Sequence, residues 1–140
     1  MIIIRHYKAT DRPSLIALWQ TVFTSPAPHN EANNVLDKKL RVDRLLFVAE
    51  KKGQVIGSCM AGYDGHRGWL YSVAVSEEMR RLHIGSKLVK HTMSELTKLG
   101  CQKINLQIVA GNEQVIGFYQ SLGFTIEDRI SMGTFTGKPI

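Results

Sequence analysis

The 140-residue chain reads as one mixed α/β (α+β) domain, a mostly antiparallel central sheet with flanking helices. Three observations predict it. Residues 45–75 hold three successive strand-like runs separated only by short turn signals, and helical apolar spacing brackets that meander on both sides. The composition, 44% apolar, 21% charged and 8% aromatic, is that of one ordinary globular domain. A chain of this length buries roughly 70% of the surface its unfolded form exposes, enough for a core without disulfides or a structural metal.

The elements follow in order. Residues 2–5 are apolar enough for a first strand. Thr10-Asp11-Arg12-Pro13 supplies a capping side chain and a proline near the first helical turn, so a helix is expected over 14–23, where Leu15, Ile16, Trp19, Val22 and Phe23 repeat at helical spacing. Ser25-Pro26-Ala27-Pro28 ends it in a loop, and Val35, Leu36 and Leu40 suggest a second helix over 31–41. The meander then runs 45–50, turn Lys52-Gly53, 55–63, loop 64–68 and 69–75. Ile84, Leu88, Val89, Met93, Leu96 and Leu99 line one face of a helix closed by Gly100, and Ile104, Leu106 and Ile108 share one face of a strand over 103–109. Asn112 caps a helix that Gly123 ends. Strands are expected over 124–131 and 132–136, before a frayed end at Gly137-Lys138-Pro139.

Charge and cysteine usage narrow the class. Lys and Arg number 18 against 12 acids, a net charge of +6, which biases the surface toward polyanions without choosing between a nucleic acid and a phosphorylated cofactor. Nucleic-acid binding would need interleaved aromatics or a recognition helix, and the sequence offers neither. Cys59 and Cys101 form no CxxC and sit in apolar segments, so buried free thiols and a cytoplasmic location are expected. The longest apolar run, Leu45-Leu46-Phe47-Val48-Ala49, is far short of a membrane span, and Arg5, His6 and Lys8 interrupt the start too early for a secretion signal.

Spacing removes several chemistries. GxxxxGK[ST], GxGxxG and GxSxG are all absent, and the five histidines show no metal-ligand spacing, so no metal is expected. One stretch stands out: strand-like Trp69-Leu70-Tyr71-Ser72-Val73-Ala74-Val75, then Arg80-Arg81-Leu82-His83-Ile84-Gly85-Ser86, then the amphipathic helix. Amides at a helix start have no partner within the helix, and the helix dipole and two arginines favour an anion beside them. Two readings stand at this point: a seat for a pyrophosphate, or a solvated basic turn before a surface helix.

A second segment lies 26 residues beyond Ser86, where Asn112 opens a stretch that ends Phe118-Tyr119-Gln120-Ser121-Leu122-Gly123-Phe124. Taken together, Arg80-x-x-His83-x-Gly85 at a helix start, an intervening strand, and Asn112 through the Phe-Tyr pair to Gly123-Phe124 resemble the GNAT superfamily of acetyl-CoA-dependent N-acetyltransferases. The motifs cover about residues 69–124, and the order of elements fits the family along the whole chain.

The resemblance implies a fold in which strand 70–75 splays from the parallel strand 103–109, with the pantetheine arm of acetyl-CoA in the gap. Val73 and Val75 would then offer main-chain partners to the arm. It further implies that Arg80, Arg81, His83, Ile84, Gly85 and Ser86 hold the pyrophosphate, that Asn112 holds the arm near its acetyl end, and that Tyr119 is the general acid. A phenol is protonated at neutral pH and can donate to a departing thiolate; otherwise Tyr119 is a core aromatic of its helix.

Two departures stand against the family pattern. His83 replaces its first glycine, and the imidazole is expected to face solvent. The positions at which the family often carries a glutamate base hold Trp69 and Gln107, and neither takes a proton. The expected activity is direct acetyl transfer from acetyl-CoA to an amine in a ternary complex, the alternative a non-catalytic acyl-CoA-binding regulatory domain. The acceptor, shaped by loops 23–34 and 64–68, is an amine-bearing small molecule or a protein or peptide N-terminus; a membrane is not expected among the partners, and a homodimer is left open.

Overall fold

A computed structural model of the chain describes residues 1–24 and 27–137. Ser25 and Pro26 of the expected loop, and Lys138 and Pro139 of the expected frayed end, lie outside the described residues. The chain divides into two units, Met1–Gln107 and Ile108–Ile140.

The first unit has the expected class, a mixed sheet covered by helices on both faces. Strands β1 (Ile2–His6), β2 (Leu46–Lys51), β3 (Gln54–Tyr63) and β4 (Gly68–Val75) lie side by side and antiparallel, and β5 (Ile104–Asn105) joins β4 in parallel. The β2–β3 hairpin turns on Lys52 and Gly53, whose φ values of 51° and 78° suit the two-residue turn that matches strand twist.

Side chains alternate between the faces. Leu46, Val48 and Met60 pack with Leu15, Leu18 and Trp19 of α1 (Arg12–Val22) and Leu36 of α2 (Ala32–Val42). The opposite face meets α3 (Ile84–Lys98): buried Phe47 lies edge-on to His91, ring centroids 5.2 Å apart. Gly57 permits this close approach, since a Cβ there would stand 2.8 Å from Leu88 Cδ1 and 3.3 Å from the Ala74 carbonyl oxygen.

Helix α1 starts with Pro13 in its first turn as expected, but Asp11 at its N-cap makes no side-chain cap bond. Its buried carboxylate instead takes a two-pronged bond from Arg5, at 2.8 and 2.9 Å, and a third from the Lys8 amide at 2.9 Å. Arg5 also reaches Glu50 of β2 at 3.0 Å. The network ties β1 to its neighbour strand and to the start of α1. Arg5 beside Asp11 holds that carboxyl below its ordinary range. A carboxyl whose folded value is depressed adds stability above its unfolded value and loses it as pH falls through the folded one. Asp11→Asn should therefore lower stability by about 2 kcal/mol at pH 7, between the exposed and the buried limits for an ion pair. The difference from the parent should shrink as denaturation is repeated toward pH 3, and a difference that does not change with pH would remove the ion pair as its cause.

The second unit contains α4 (Glu113–Ser121), capped by Asn112 as expected: its side-chain oxygen accepts from the Val115 amide at 3.4 Å. Gly123 follows in a left-handed conformation, φ 95°, and ends the helix. The later strands do not form. Residues 124–131, which alternate in sequence, and 132–136 take no strand conformation, and Ile126, Ile130, Met132 and Phe135 are exposed. Alternation specifies a strand only when a neighbouring strand and an apolar surface receive it. The strand expected over 103–109 is likewise shortened to Ile104–Asn105.

Candidate functional site

The shortened β5 creates the main feature of the site. It pairs with β4 only at Gly68↔Ile104 and Trp69↔Asn105, so among the described residues β4 continues from Leu70 to Val75 with a sheet neighbour on the β3 side alone. Val73 and Val75 lie on this open edge, both half-buried. Such an edge can bond an extended ligand as it would another strand.

The edge is not straight. Ser58 pairs with Ala74 and Met60 with Tyr71, which leaves Ser72 and Val73 opposite Cys59 alone: a β-bulge, with Ser72 at φ 47°. A bulge leaves one residue out of the ladder and re-aims its peptide groups. The sequence reading did not find it. Its one trace is a serine, Ser58, inside the buried apolar run 55–61 of β3, itself fully buried and bonded to the Ser72 carbonyl at 3.0 Å.

At its end β4 leads through a short 3-10 turn, Glu77–Met79, into the basic loop. Arg80 folds back and donates from Nε to the Val75 carbonyl at 3.3 Å, joining the loop to the open edge. Arg81 and His83 are both left-handed, φ 73° and 60°, with Leu82 between them. His83, at the N-cap of α3, gives it no side-chain bond, and the first helical bond there runs from the Lys87 amide to the His83 carbonyl at 3.1 Å. The amides of Ile84, Gly85 and Ser86 thus head a helix with nothing of its own to bond them. The His83 imidazole is exposed, as expected. Its backbone gives a further reason for glycine in the family pattern: the position is left-handed, which costs about 1–2 kcal/mol for a residue with a Cβ, though histidine tolerates it better than most.

Asn112 and Tyr119 belong to the second unit, seven residues and nearly two turns apart, hence on one side of α4. Tyr119 is 8% exposed, its ring edge-on to Phe118 and Phe124 at 4.9 and 5.5 Å.

Several other chemistry-bearing groups are buried or bonded within the fold. Cys59 and Cys101 are buried free thiols as expected, and burial pushes Cys59 up to about 12. Glu50 is held below the ordinary carboxylate range by Arg5 and the Gly53 amide. In the 64–68 loop, Asp64 accepts from the amides of His66 and Arg67, both at 2.8 Å. Among the described residues no helix is long and apolar enough to cross a membrane, and no three His, Cys, Asp or Glu side chains cluster as metal ligands.

Three comparisons bear on this geometry. A model of the acetyltransferase (GNAT) family matches residues 12–124. An acetyltransferase of Pectobacterium atrosepticum is 36% identical over 131 residues, which cover 93% of this chain and 92% of that protein. Among solved structures, the ribosomal-protein-S18-alanine N-acetyltransferase of Escherichia coli superposes with a TM-score of 0.77 at 24% identity, over 89% of this chain and 78% of that one. The aminoglycoside N-acetyltransferase AAC(6')-Iy, solved in complex with CoA, does so with a TM-score of 0.79 at 20% identity, over 97% and 95%. At those two identities the likeness is one of fold.

Proposed function

The chain belongs to the GNAT acetyltransferase family, and we propose that it is an N-acetyltransferase that moves the acetyl group of acetyl-CoA directly to an amine in a ternary complex. One observation carries this reading: the open edge of β4 runs, through the Arg80–Val75 bond, into an uncapped helix start beside two arginines. An edge for an extended amide-bearing arm followed by a seat for a pyrophosphate is the order of groups in coenzyme A. The solved complex of AAC(6')-Iy with CoA supports the same ligand class.

Acetyl-CoA, when bound, supplies the thioester whose C–S bond breaks as the amine nitrogen bonds the acetyl carbon. In this reading Val73 and Val75 bond the arm through main-chain groups. Arg80 and Arg81, with the amides of His83, Ile84, Gly85 and Ser86, neutralise the pyrophosphate. Asn112 steadies the arm near the acetyl end, and Tyr119 gives its proton to the departing sulfur. The products are an amide and the free thiol; the proton lost by the amine passes to solvent, and Tyr119 regains its own from solvent. No covalent enzyme intermediate is required, so the absent nucleophile motif is no obstacle.

For the acceptor we propose an amine-bearing small molecule or a protein or peptide N-terminus. The two structural neighbours are named for acceptors of both kinds. The second reading, a non-catalytic acyl-CoA-binding domain, is favoured by one observation, that Trp69 and Gln107 stand at the positions where the family often carries a base.

Acetyl-CoA at 100 times its dissociation constant should raise stability by about 2.7 kcal/mol in a thermal shift experiment, and acetyl-pantetheine, which lacks the pyrophosphate, by far less at equal concentration. Arg80→Ala should weaken acetyl-CoA affinity at nearly unchanged apo stability. No shift at saturating acetyl-CoA would overturn the cofactor assignment. Thiol release across a panel of amines separates the two readings: release with any amine establishes transfer, and binding without release favours the regulatory domain.

A further inference from the structure

We propose that Ser58 is a positioning residue for the acetyl carbonyl, acting through the bulge of β4, an inference that rests on the acetyl-transfer reading above. Ser58 is fully buried in β3. The Trp19 indole N–H of α1, which can only donate, reaches Ser58 Oγ at 2.9 Å. The hydroxyl has one proton, and it goes to the Ser72 carbonyl at 3.0 Å, a group that can only accept. The direction of the relay is therefore forced, from Trp19 to Ser58 to Ser72.

Peptide planarity carries the consequence outward. A trans peptide points its carbonyl and its N–H in opposite directions, and no described peptide bond is cis. The Ser72 carbonyl points at a β3 side chain, so the Val73 N–H, in the same plane, points away from β3. That is the side on which β4 has no strand partner beyond Trp69, where an acyl group lying along the edge presents its carbonyl oxygen. Donation into the Ser72 carbonyl also polarises that peptide and strengthens its N–H as a donor. Ser72 holds a left-handed conformation that a residue with a Cβ adopts only under constraint, and the Ser58 bond is the constraint. Both bonds of the hydroxyl are made, which offsets the cost of burying it.

The test uses the full chain and acetyl-CoA labelled with 13C at the acetyl carbonyl. In the parent protein the bound carbonyl resonance should move downfield of the free one. Ser58→Ala should lose most of that displacement and at least about tenfold in kcat, less than the 10²–10³ of deleting an oxyanion donor outright. Its affinity for CoA, which has no acetyl carbonyl and keeps the Val75 contact with the arm, should fall far less than kcat, and Ser58→Thr should restore both the displacement and kcat. Where Ser58→Ala does not fold, Ser58→Cys, whose thiol is a weaker donor, should show partial loss of the displacement. An undiminished displacement in a folded variant overturns the proposal, and so does CoA affinity falling in step with kcat, the mark of a merely structural role. A parent protein that binds acetyl-CoA without a downfield carbonyl overturns this proposal alone, whereas one that binds no acetyl-CoA overturns the functional reading itself.

Discussion

Tyr119→Phe should lower turnover by about 10²–10⁴ while leaving acetyl-CoA binding and the fold in place. The substitution is selective because the tyrosine ring is held by packing: Phe118 and Phe124 meet it edge-on, and phenylalanine presents the same face and edge to both. What is lost is one proton donor. If the hydroxyl protonates the departing sulfur, its removal leaves the thiolate to find a proton in water, and the barrier rises by about 3–5 kcal/mol, the free-energy equivalent of that range. The thermal shift with acetyl-CoA provides the control, since in the proposed site binding relies on the β4 edge and the basic loop. Full activity in Tyr119→Phe, with the shift intact, would return Tyr119 to a core role and leave the acid to be found elsewhere.

The fold was most legible where one segment carries its own instructions. Helix α3 has an apolar stripe and a terminal glycine, α4 has the Asn112 cap and Gly123, and the β2–β3–β4 meander has the Lys52-Gly53 turn; each stands where its pattern put it. Legibility fell where the outcome depends on a partner distant in sequence. Leu106 and Ile108 alternate as a strand does, yet β5 stops at Asn105, because pairing with β4 ends there and alternation does not say how long a partner stays alongside. Asp11 has the right side chain for a cap, and Arg5 captures it through a charge-assisted two-pronged bond stronger than a cap bond.

The same distinction runs through the site. The basic loop was readable as a run of residue types, but the left-handed backbone of Arg81 and His83 was not, since neither residue announces a positive φ as glycine does. The bulge at Ser72 was hidden for a related reason: it arises from a register offset between two strands and from a bond to Ser58, 14 residues away. A lone serine in an apolar strand signals that a partner exists without naming it.

The rate should follow the protonation of the acceptor, giving a kcat/KM that rises about tenfold per pH unit until the pKa of the acceptor amine is reached. Attack needs the neutral amine. At pH 7 a lysine-like amine of pKa 10.4 is neutral about once in a few thousand molecules, whereas an α-amino group of pKa 7.7–8.0 is neutral in roughly one of ten. Without a base, the second acceptor has an advantage of about two to three orders of magnitude at neutral pH. The carboxylate nearest in kind to a base, Glu50, bonds Arg5 and the Gly53 amide, and those bonds lower its pKa, making it a weaker proton acceptor still. Trp69 and Gln107 accept no proton. We expect deprotonation to go through ordered water on the main-chain carbonyls of the strand edge, with Gln107 orienting it, or to be unnecessary because the acceptor is an amino terminus or an amino acid. Gln107→Glu supplies the missing base and should move the rise of the profile to lower pH, with the larger gain for a lysine-like acceptor. A bell-shaped profile with an acidic limb near pH 6–7 that stays put when the acceptor is changed would belong to an enzymic base such as His66, and the preference for low-pKa amines would then have to come from the shape of the acceptor loops.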